Sequence, residues 1–262
     1  MKVAAYQAPL PATNSMDILS LIREQVDWCE SNGAEILCCP EGVLGGLADY
    51  ASRPNDIAID VERCQLHQLL APLASDKVAT ILGFTEIDQG GRLYNSAAVW
   101  HKGSVAGIYR KLYPAINKSI YTAGDKMPVF TVGGLTFGII ICNDSNYHAP
   151  ARLMASQGAI ALFVPTNNGL PRRRPDPELV VRTRKVDILR ATENSVFVIR
   201  ADVAGRTVSL VSYGSSEIVD PGGVVLQSAR QLGPDLIVAE IEPKQCEHYR
   251  TTGPVTQANT KS

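Results

Sequence analysis

No apolar run in the 262-residue sequence approaches the roughly 20 residues that a membrane-spanning helix needs. Near the start, Pro9 and Pro11 interrupt the segment where a signal peptide would need a continuous apolar core. An excess of either charge is also lacking, because the net charge is −1, which favours neither nucleic acid nor an anionic membrane as a partner. We therefore expect a cytoplasmic protein with no nucleic-acid or membrane partner.

The sequence also lacks the paired cysteines and spaced histidines of a metal site. No CxxC pair occurs, and the four histidines are scattered without metal-ligand spacing. The six cysteines are expected to be reduced, since no export signal is apparent; they are Cys29, Cys38, Cys39, Cys64, Cys142 and Cys246. We expect no metal ion.

Apolar periodicities instead predict one layered α/β domain over residues 1–243, followed by a polar tail over residues 244–262. Helices are predicted at Asp17–Glu30, Val61–Ala74 and Glu178–Glu193, and a further helix after Cys142. Short strands alternate with these helices, and two pairs of strands are predicted to form hairpins. Because the strands of a hairpin are antiparallel, a mixed sheet is expected. No internal repeat, linker or domain boundary is evident.

One stretch, GLTFGIIICNDSNYHAPARLMASQGA, organises the rest of the chain. Phe137–Ile141 is apolar on both faces, which predicts a central strand, and Cys142 follows at the turn into a helix. The positive end of that helix is expected to lower the pKa of the Cys142 thiol. A buried structural cysteine is the alternative, and this segment alone favours that alternative.

Two charged residues also stand at predicted strand ends. Glu41 follows the strand EILCC between a proline and a glycine, at the sheet edge where sites form in α/β proteins. Lys111 ends the second strand of a predicted hairpin. Taken singly, each is more often a solvated surface charge. Cys142 supplies a thiol that could act as a nucleophile. Such a nucleophile requires a base, which the Glu41 carboxylate could provide, and a cation to stabilise the oxyanion, which Lys111 could provide. No histidine has a comparable position, so a Cys-His protease is poorly supported.

With these three blocks in order, the chain resembles the nitrilase superfamily of carbon–nitrogen hydrolases. The blocks are PEG around Glu41, YRKLYP around Lys111 and GIIICND around Cys142, with LRATEN around Glu193. The similarity runs from VAAYQAP to YGSSEIVDPGG, nearly the whole length. The resemblance implies a four-layer αββα sandwich, a Glu-Lys-Cys triad without metal or organic cofactor, and homodimers paired through helices or higher homo-oligomers.

The resemblance also implies roles for individual residues. Cys142 matches the nucleophile, Glu41 the general base, and Lys111 the cation that stabilises the tetrahedral intermediate. The backbone N–H of Asn143 matches the oxyanion partner. The second glutamate that many amidases carry is replaced by Asn117, which can position a substrate but cannot exchange a proton.

Further departures concern substrate recognition. The Asn143-Asp144 pair resembles N-carbamoyl-amino-acid hydrolases, but Ser145 and Asn146 replace the arginines expected there for a substrate carboxylate. The candidates for substrate binding are Tyr113, Asn167, Asn168 and Arg172, with Arg172 or one of its two arginine neighbours as a substitute carboxylate partner.

The leading hypothesis is an amidohydrolase that cleaves a small linear amide or N-carbamoyl compound through a thioester at Cys142. A nitrilase is the nearest rival, since the same three residues can attack a nitrile. A non-catalytic scaffold or assembly protein is the second class of hypothesis. Acyl transfer to an amine is a third.

Overall fold

The computed structural model describes residues 1–10, 18–115 and 118–252, with side chains described as far as Glu247. The helices in this part of the chain are α1 (Ile18–Asn32), α2 (Gln65–Leu70), α3 (His148–Ser156), α4 (Leu179–Asn194) and α5 (Pro243–Thr252). The strands are β1 (Lys2–Pro9), β2 (Ala34–Cys38), β3 (Ile59–Asp60), β4 (Ala79–Ile87), β5 (Leu93–His101), β6 (Ser104–Arg110), β7 (Val129–Val132), β8 (Leu135–Ile139), β9 (Ala161–Pro165), β10 (Leu170–Pro171), β11 (Phe197–Ala201), β12 (Val203–Arg206), β13 (Leu210–Ser212), β14 (Glu217–Val219), β15 (Val225–Ser228) and β16 (Asp235–Glu240).

These strands form two mixed sheets. The larger sheet has the order β10-β13-β12-β1-β2-β4-β5-β6, with β16 also paired to β1 and β3 to β4. The smaller has the order β15-β14-β11-β9-β8-β7. In the larger sheet β1, β2 and β4 run parallel, and in the smaller sheet β8, β9 and β11 do so. Within each sheet the carboxyl ends of these strands lie at one edge, and the two edges meet where the Glu41 N–H, after β2, donates to the Thr166 carbonyl, after β9, at 3.3 Å.

Apolar packing joins the sheets and helices into four layers. One core lies between the sheets, where Ile36 and Ile81 of the larger sheet meet Phe137 and Phe163 of the smaller. A second core lies under α1 and α2, on the other face of the larger sheet. On the far side of the smaller sheet, α3 and α4 pack against β8 and β11. The predicted αββα sandwich is confirmed.

The sequence of α1 shows why this layering arises. Its buried residues recur every three or four positions, at Ile18, Ile22, Val26 and Cys29. This spacing places them on one helix face, toward the larger sheet. Each fully buried aliphatic side chain of this kind contributes about 1.5–3 kcal/mol relative to an exposed one.

The predicted helix Val61–Ala74 is shorter in the structure. Asp60 and Gln65 hold a turn before the helix, because the Gln65 side chain accepts the Asp60 N–H at 2.9 Å and the Asp60 carboxylate accepts the Arg63 N–H at 3.1 Å. At the other end, Pro72 lies in a 3₁₀ turn that follows α2, since proline cannot donate a helical hydrogen bond.

Four elements were absent from the sequence prediction: the two-residue strands β3 and β10, the strand β12 and the helix α5. Strand β12 pairs in parallel with β1, and it lies between segments that were predicted as strands. Helix α5 begins at Pro243, the last residue of the predicted domain, and continues into the stretch predicted as a polar tail, where it buries Cys246 against the core between the sheets. The division into a domain over residues 1–243 and a tail stays a prediction. None of the helices in the described ranges is long and apolar enough to cross a bilayer.

Candidate active site

The site begins at the turn after β2, where Glu41 leaves the sheet. Gly42 in this turn adopts a positive φ of 59°, which glycine tolerates without strain. The turn lies directly on Gly83 of β4: a Cβ at Gly83 would approach the Pro40 carbonyl oxygen to 2.5 Å and the Glu41 Cα to 2.7 Å. A glycine at position 83 therefore allows the backbone of Glu41 to lie against the sheet.

Lys111 follows β6 and forms a buried ion pair with Glu41. The lysine Nζ lies 2.5 Å from Glu41 Oε1, and the two residues are only 3% and 2% exposed. Asn95 Nδ2 donates to the same carboxylate oxygen at 2.7 Å, and the Asn167 N–H donates to Oε2 at 3.0 Å. Burial opposes charge on Lys111, but the Glu41 carboxylate outweighs that penalty and holds the pKa of Lys111 above its ordinary value.

Cys142 lies at the start of a short 3₁₀ turn, Cys142–Asn146, which follows β8 and precedes α3. Its φ of 44° is unusual for a residue with a side chain and marks a locally strained backbone. Asp144 holds this turn: its fully buried carboxylate accepts hydrogen bonds from the Ile141 N–H, the Tyr113 N–H and the Tyr109 hydroxyl, at 3.0, 2.8 and 2.7 Å. Asp144 thus joins the Cys142 turn to the segment that carries Lys111.

The expectation that the turn lowers the pKa of the Cys142 thiol is wrong. Burial, followed by the negative charge of Glu41, raises that pKa to about 12, although Lys111 and Arg200 act in the opposite direction. The element that starts at Cys142 is a single short 3₁₀ turn, so its dipole lowers the pKa of the thiol less than burial and Glu41 raise it. Burial likewise raises the pKa of Asp144, to about 6.

Two cavities meet at Cys142. The smaller, of about 50 Å³, is lined by Glu41, Lys111, Asn95 and Asn167, together with Cys142. The larger, of about 420 Å³, extends from Cys142 toward α4. It has polar groups along much of its wall, among them Asn143, Ser145, Asn168, Arg182, Thr183 and Arg200. A small molecule in the larger cavity can therefore reach Cys142, which also lines the smaller cavity together with the ion pair.

The structure thus brings together the three strand-end residues Glu41, Lys111 and Cys142. Asn143 also lines the larger cavity, and its side chain donates to the Tyr113 carbonyl at 3.1 Å. The Tyr113 ring stacks on Tyr147, with centroids 3.7 Å apart, and Tyr113 is not among the residues lining either cavity.

The remaining predicted site residues lie at different distances from the two cavities. Asn167 contacts the Glu41 carboxylate, whereas Asn168 faces the larger cavity with its Oδ1 3.9 Å from Cys142 Sγ. Arg172 is exposed and donates to the Thr207 carbonyl, away from both cavities. Asn117 lies outside the described residues.

Sequence reasoning missed the buried groups that hold the site. Arg200 lies in the larger cavity wall and forms a bidentate pair with Asp187, with Nε–Oδ2 and Nη2–Oδ1 distances of 2.6 and 2.5 Å. Asp202 is fully buried behind Asn168, and Asn95 lies within β5. Arg200, Asp187 and Asn95 do not follow the end of a strand, so the signal that found Glu41 is missing for them. Asp202 does directly follow β11. Asp202 could have been found by the same strand-end argument that found Glu41.

Among the described residues, no group of three or more His, Cys, Asp or Glu side chains has the geometry of a metal site. A thiol beside a buried carboxylate–ammonium pair, at the wall of an adjoining cavity, is the arrangement that a thiol-dependent hydrolase would require.

Comparison with known proteins identifies the family. A profile of the carbon-nitrogen hydrolase family matches residues 2–251. An (R)-stereoselective amidase from a Pseudomonas species is 32% identical over 198 residues, covering 74% of this chain and 69% of the amidase. A nitrilase from Pyrococcus abyssi is 29% identical over 239 residues, covering 88% and 84%. The crystal structure of a carbon-nitrogen hydrolase from Helicobacter pylori G27 superposes with a TM-score of 0.83 at 21% identity, covering 96% of this chain and 92% of that one.

The chain belongs to the carbon-nitrogen hydrolase family of the nitrilase superfamily, and it is an enzyme of the amidase and nitrilase class.

Proposed function

We propose that this enzyme hydrolyses a small linear amide or N-carbamoyl compound through a thioester at Cys142. The observation that carries the proposal is that Glu41, Lys111 and Cys142 line one small cavity, and that Cys142 also lines a larger cavity with polar side chains in its wall. Similarity to an amidase supports the amide, and the Asn143-Asp144 sequence supports the carbamoyl compound.

The arrangement supports a two-stage reaction with Glu41 as the base. Glu41 takes the thiol proton while Cys142 Sγ bonds to the carbonyl carbon, and the carbonyl oxygen becomes an oxyanion beside Lys111 Nζ and the Asn143 N–H. The proton passes from Glu41 to the nitrogen, the carbon–nitrogen bond breaks and ammonia or an amine leaves. Water then attacks the thioester; Glu41 takes its proton and returns it to the sulfur.

Two alternatives follow from other observations. A nitrilase reaction is favoured by the similarity to the Pyrococcus abyssi nitrilase, and it would use the same thiol. A non-catalytic scaffold would keep the fold without turnover. The intact buried pair of Glu41 and Lys111 argues against the scaffold, because an ion pair removed from water is costly to retain without a function.

The test is ammonia release from a panel of small amides, nitriles and N-carbamoyl amino acids, combined with intact-mass detection of an adduct. Cys142→Ala is expected to abolish ammonia release, and Cys64→Ala, at an exposed cysteine outside the site, is the matched control that retains it. Ammonia release by Cys142→Ala would overturn the mechanism. Folded enzyme that gives neither ammonia nor adduct with any compound would favour the scaffold.

Assembly and location belong to the same proposal. Leu153 of α3 and Val181 and Leu189 of α4 are 42–47% exposed, which supports pairing of two copies through these helices. Light scattering on the purified protein tests this; a monomer at micromolar concentration would contradict it. All six cysteines lie within the described residues and none of them forms a disulfide, which supports a reducing, cytoplasmic location.

A further inference from the structure

A buried hydrogen-bond chain runs from Asp202 to the nucleophile. Ser215 Oγ donates to Asp202 Oδ2 at 2.7 Å, Asn168 Nδ2 donates to Ser215 Oγ at 3.1 Å, and Asn168 Oδ1 lies 3.9 Å from Cys142 Sγ. Asp202 is fully buried and Ser215 is 5% exposed. The proposed reaction gives no part to Asp202 or Ser215, although the chain ends at the reacting sulfur.

The direction of every hydrogen bond in this chain is fixed by Asp202. Its carboxylate also accepts three backbone N–H groups, from Asn168, Val203 and Ser215, at 3.0, 2.8 and 3.0 Å. These three N–H donors stabilise the ionised form of the carboxylate, which has no proton to donate and can only accept. The Ser215 hydroxyl must then donate to Asp202, and its lone pairs accept from the Asn168 amide.

The orientation of the Asn168 side chain follows. Its NH₂ group is committed to Ser215, so its carbonyl oxygen must face Cys142 and the larger cavity. A rotated amide would place the oxygen against the Ser215 oxygen and leave the NH₂ at the thiol. The wall beside the nucleophile therefore presents an acceptor and no donor at this position.

We propose that Asn168 accepts a hydrogen bond from the scissile nitrogen of the substrate, and that Asp202 and Ser215 are positioning residues that fix this polarity. The site then selects amide and carbamoyl groups, whose nitrogen carries hydrogen, over nitriles, whose nitrogen carries only a lone pair. This inference rests on the proposed function and narrows its substrate class.

The physical basis of this selection is the cost of an unpaired or repulsive polar contact. An amide N–H satisfies Asn168 Oδ1 in the bound substrate and in the tetrahedral intermediate, where it also orients the nitrogen that receives the proton. A nitrile nitrogen is an acceptor with no hydrogen to offer. Sites built to accept a substrate N–H discriminate strongly against analogues that lack it, because their own polar group is left unpaired.

The experiment compares kcat/KM for a primary amide with that for the nitrile and the N,N-dimethylamide of the same acid, starting with propionamide, butyramide and valeramide. Ser215→Ala removes the group that fixes Asn168 and is expected to lower the amide-to-nitrile ratio about tenfold, the loss of one hydrogen bond. Ser215→Thr keeps the hydroxyl and should restore the ratio. Ser216→Ala is the matched control: Ser216 Oγ accepts the Asp202 N–H at 2.8 Å and makes no hydrogen bond to Asn168.

An unchanged ratio in Ser215→Ala, with amide turnover intact, would overturn the inference and leave the proposed function standing. A wild-type enzyme that prefers the nitrile, or accepts the N,N-dimethylamide as readily as the primary amide, would also overturn it. Failure to turn over any compound would instead refute the proposed function, and the inference with it. Calorimetric binding to the Cys142→Ala protein gives a second readout: the amide should bind about tenfold more tightly than its nitrile, and equal affinities would count against the role of Asn168.

Discussion

The protonation state of Cys142 is the property of the site that most directly tests the reasoning. The ordinary pKa of 9.0 would leave on the order of a tenth of the thiol ionised at about pH 8. With the pKa raised to about 12, the ionised fraction at that pH falls to on the order of 10⁻⁴, a thousandfold decrease. The resting enzyme is therefore expected to hold a neutral thiol that loses its proton only during attack.

The assay is the ultraviolet absorbance of the thiolate, titrated from roughly pH 6 to pH 9. Two proteins are compared, Cys64→Ser and Cys64→Ser/Cys142→Ala, so that the exposed Cys64 contributes to neither and the difference reports Cys142 alone. We expect no step in the difference signal over this range. A step with its midpoint below about pH 8 would refute the assignment of burial and Glu41 as the dominant influences on the thiol.

Glu41→Gln separates thiol ionisation from base catalysis. The negative charge of Glu41 raises the pKa of Cys142, so its removal should move the titration step of the thiol to lower pH. The same variant should lose nearly all turnover, because no base remains to take the proton and later to activate water. More thiolate together with less activity is the expected combination. Retained turnover would mean that the thiolate alone suffices and that Glu41 is not the base.

Further predictions concern stability and geometry. Asp144→Asn should lower the free energy of unfolding by about 2–5 kcal/mol in urea titrations, because the acceptor of both the Tyr109 hydroxyl and the Ile141 N–H is lost; a change under about 1 kcal/mol would contradict this. Burial raises the pKa of Glu217 from 4.5 to about 7, so the folded protein holds a proton that the unfolded chain releases. The contribution of Glu217 to stability should therefore fall by about 3 kcal/mol as the pH rises from 4.5 to about 7, and Glu217→Gln should make the dependence of stability on pH less steep, while Asp144 still contributes to it. An equal slope in both proteins would exclude Glu217 as a contributor. Gly83→Ala should displace the Glu41 turn and reduce kcat at least tenfold in steady-state kinetics, and a normal kcat would show that the turn tolerates the methyl group.

Local sequence signals could predict the site residues that directly follow a strand. Glu41 and Cys142 each follow a run of apolar residues that stops at turn residues, and in a sheet of parallel strands such ends converge. Asn95 gives no such signal, because it lies inside β5 and reaches Glu41 only through the packing of distant segments. The same holds for Ser215, which contacts Asn168 from 47 residues away.

Sequence reasoning failed where two effects of opposite sign compete. A position at the start of a helical turn favours thiolate at Cys142, whereas burial and a neighbouring carboxylate oppose it, and only the distances in the folded protein decide between them. The fold itself was predictable because the alternation of apolar and polar residues indicates which face of each element is buried. In α1, for example, every third or fourth residue is buried. Strand β12 was missed because it is four residues long and contains Gly205.

The charges around the sulfur explain why a neutral resting thiol suits this site. Lys111 is paired with Glu41, and Arg200 with Asp187, so the two cations that act on Cys142 each already have an anionic partner in the folded state. A permanent thiolate would be an additional buried anion with no cation of its own, which is costly in a medium of low polarity. In the proposed reaction, attack on a carbonyl moves the proton to Glu41 and creates a negative charge on the substrate oxygen instead. At that moment Lys111 loses its paired anion and is free to stabilise the new one, so the cation that balances Glu41 at rest balances the oxyanion in the transition state.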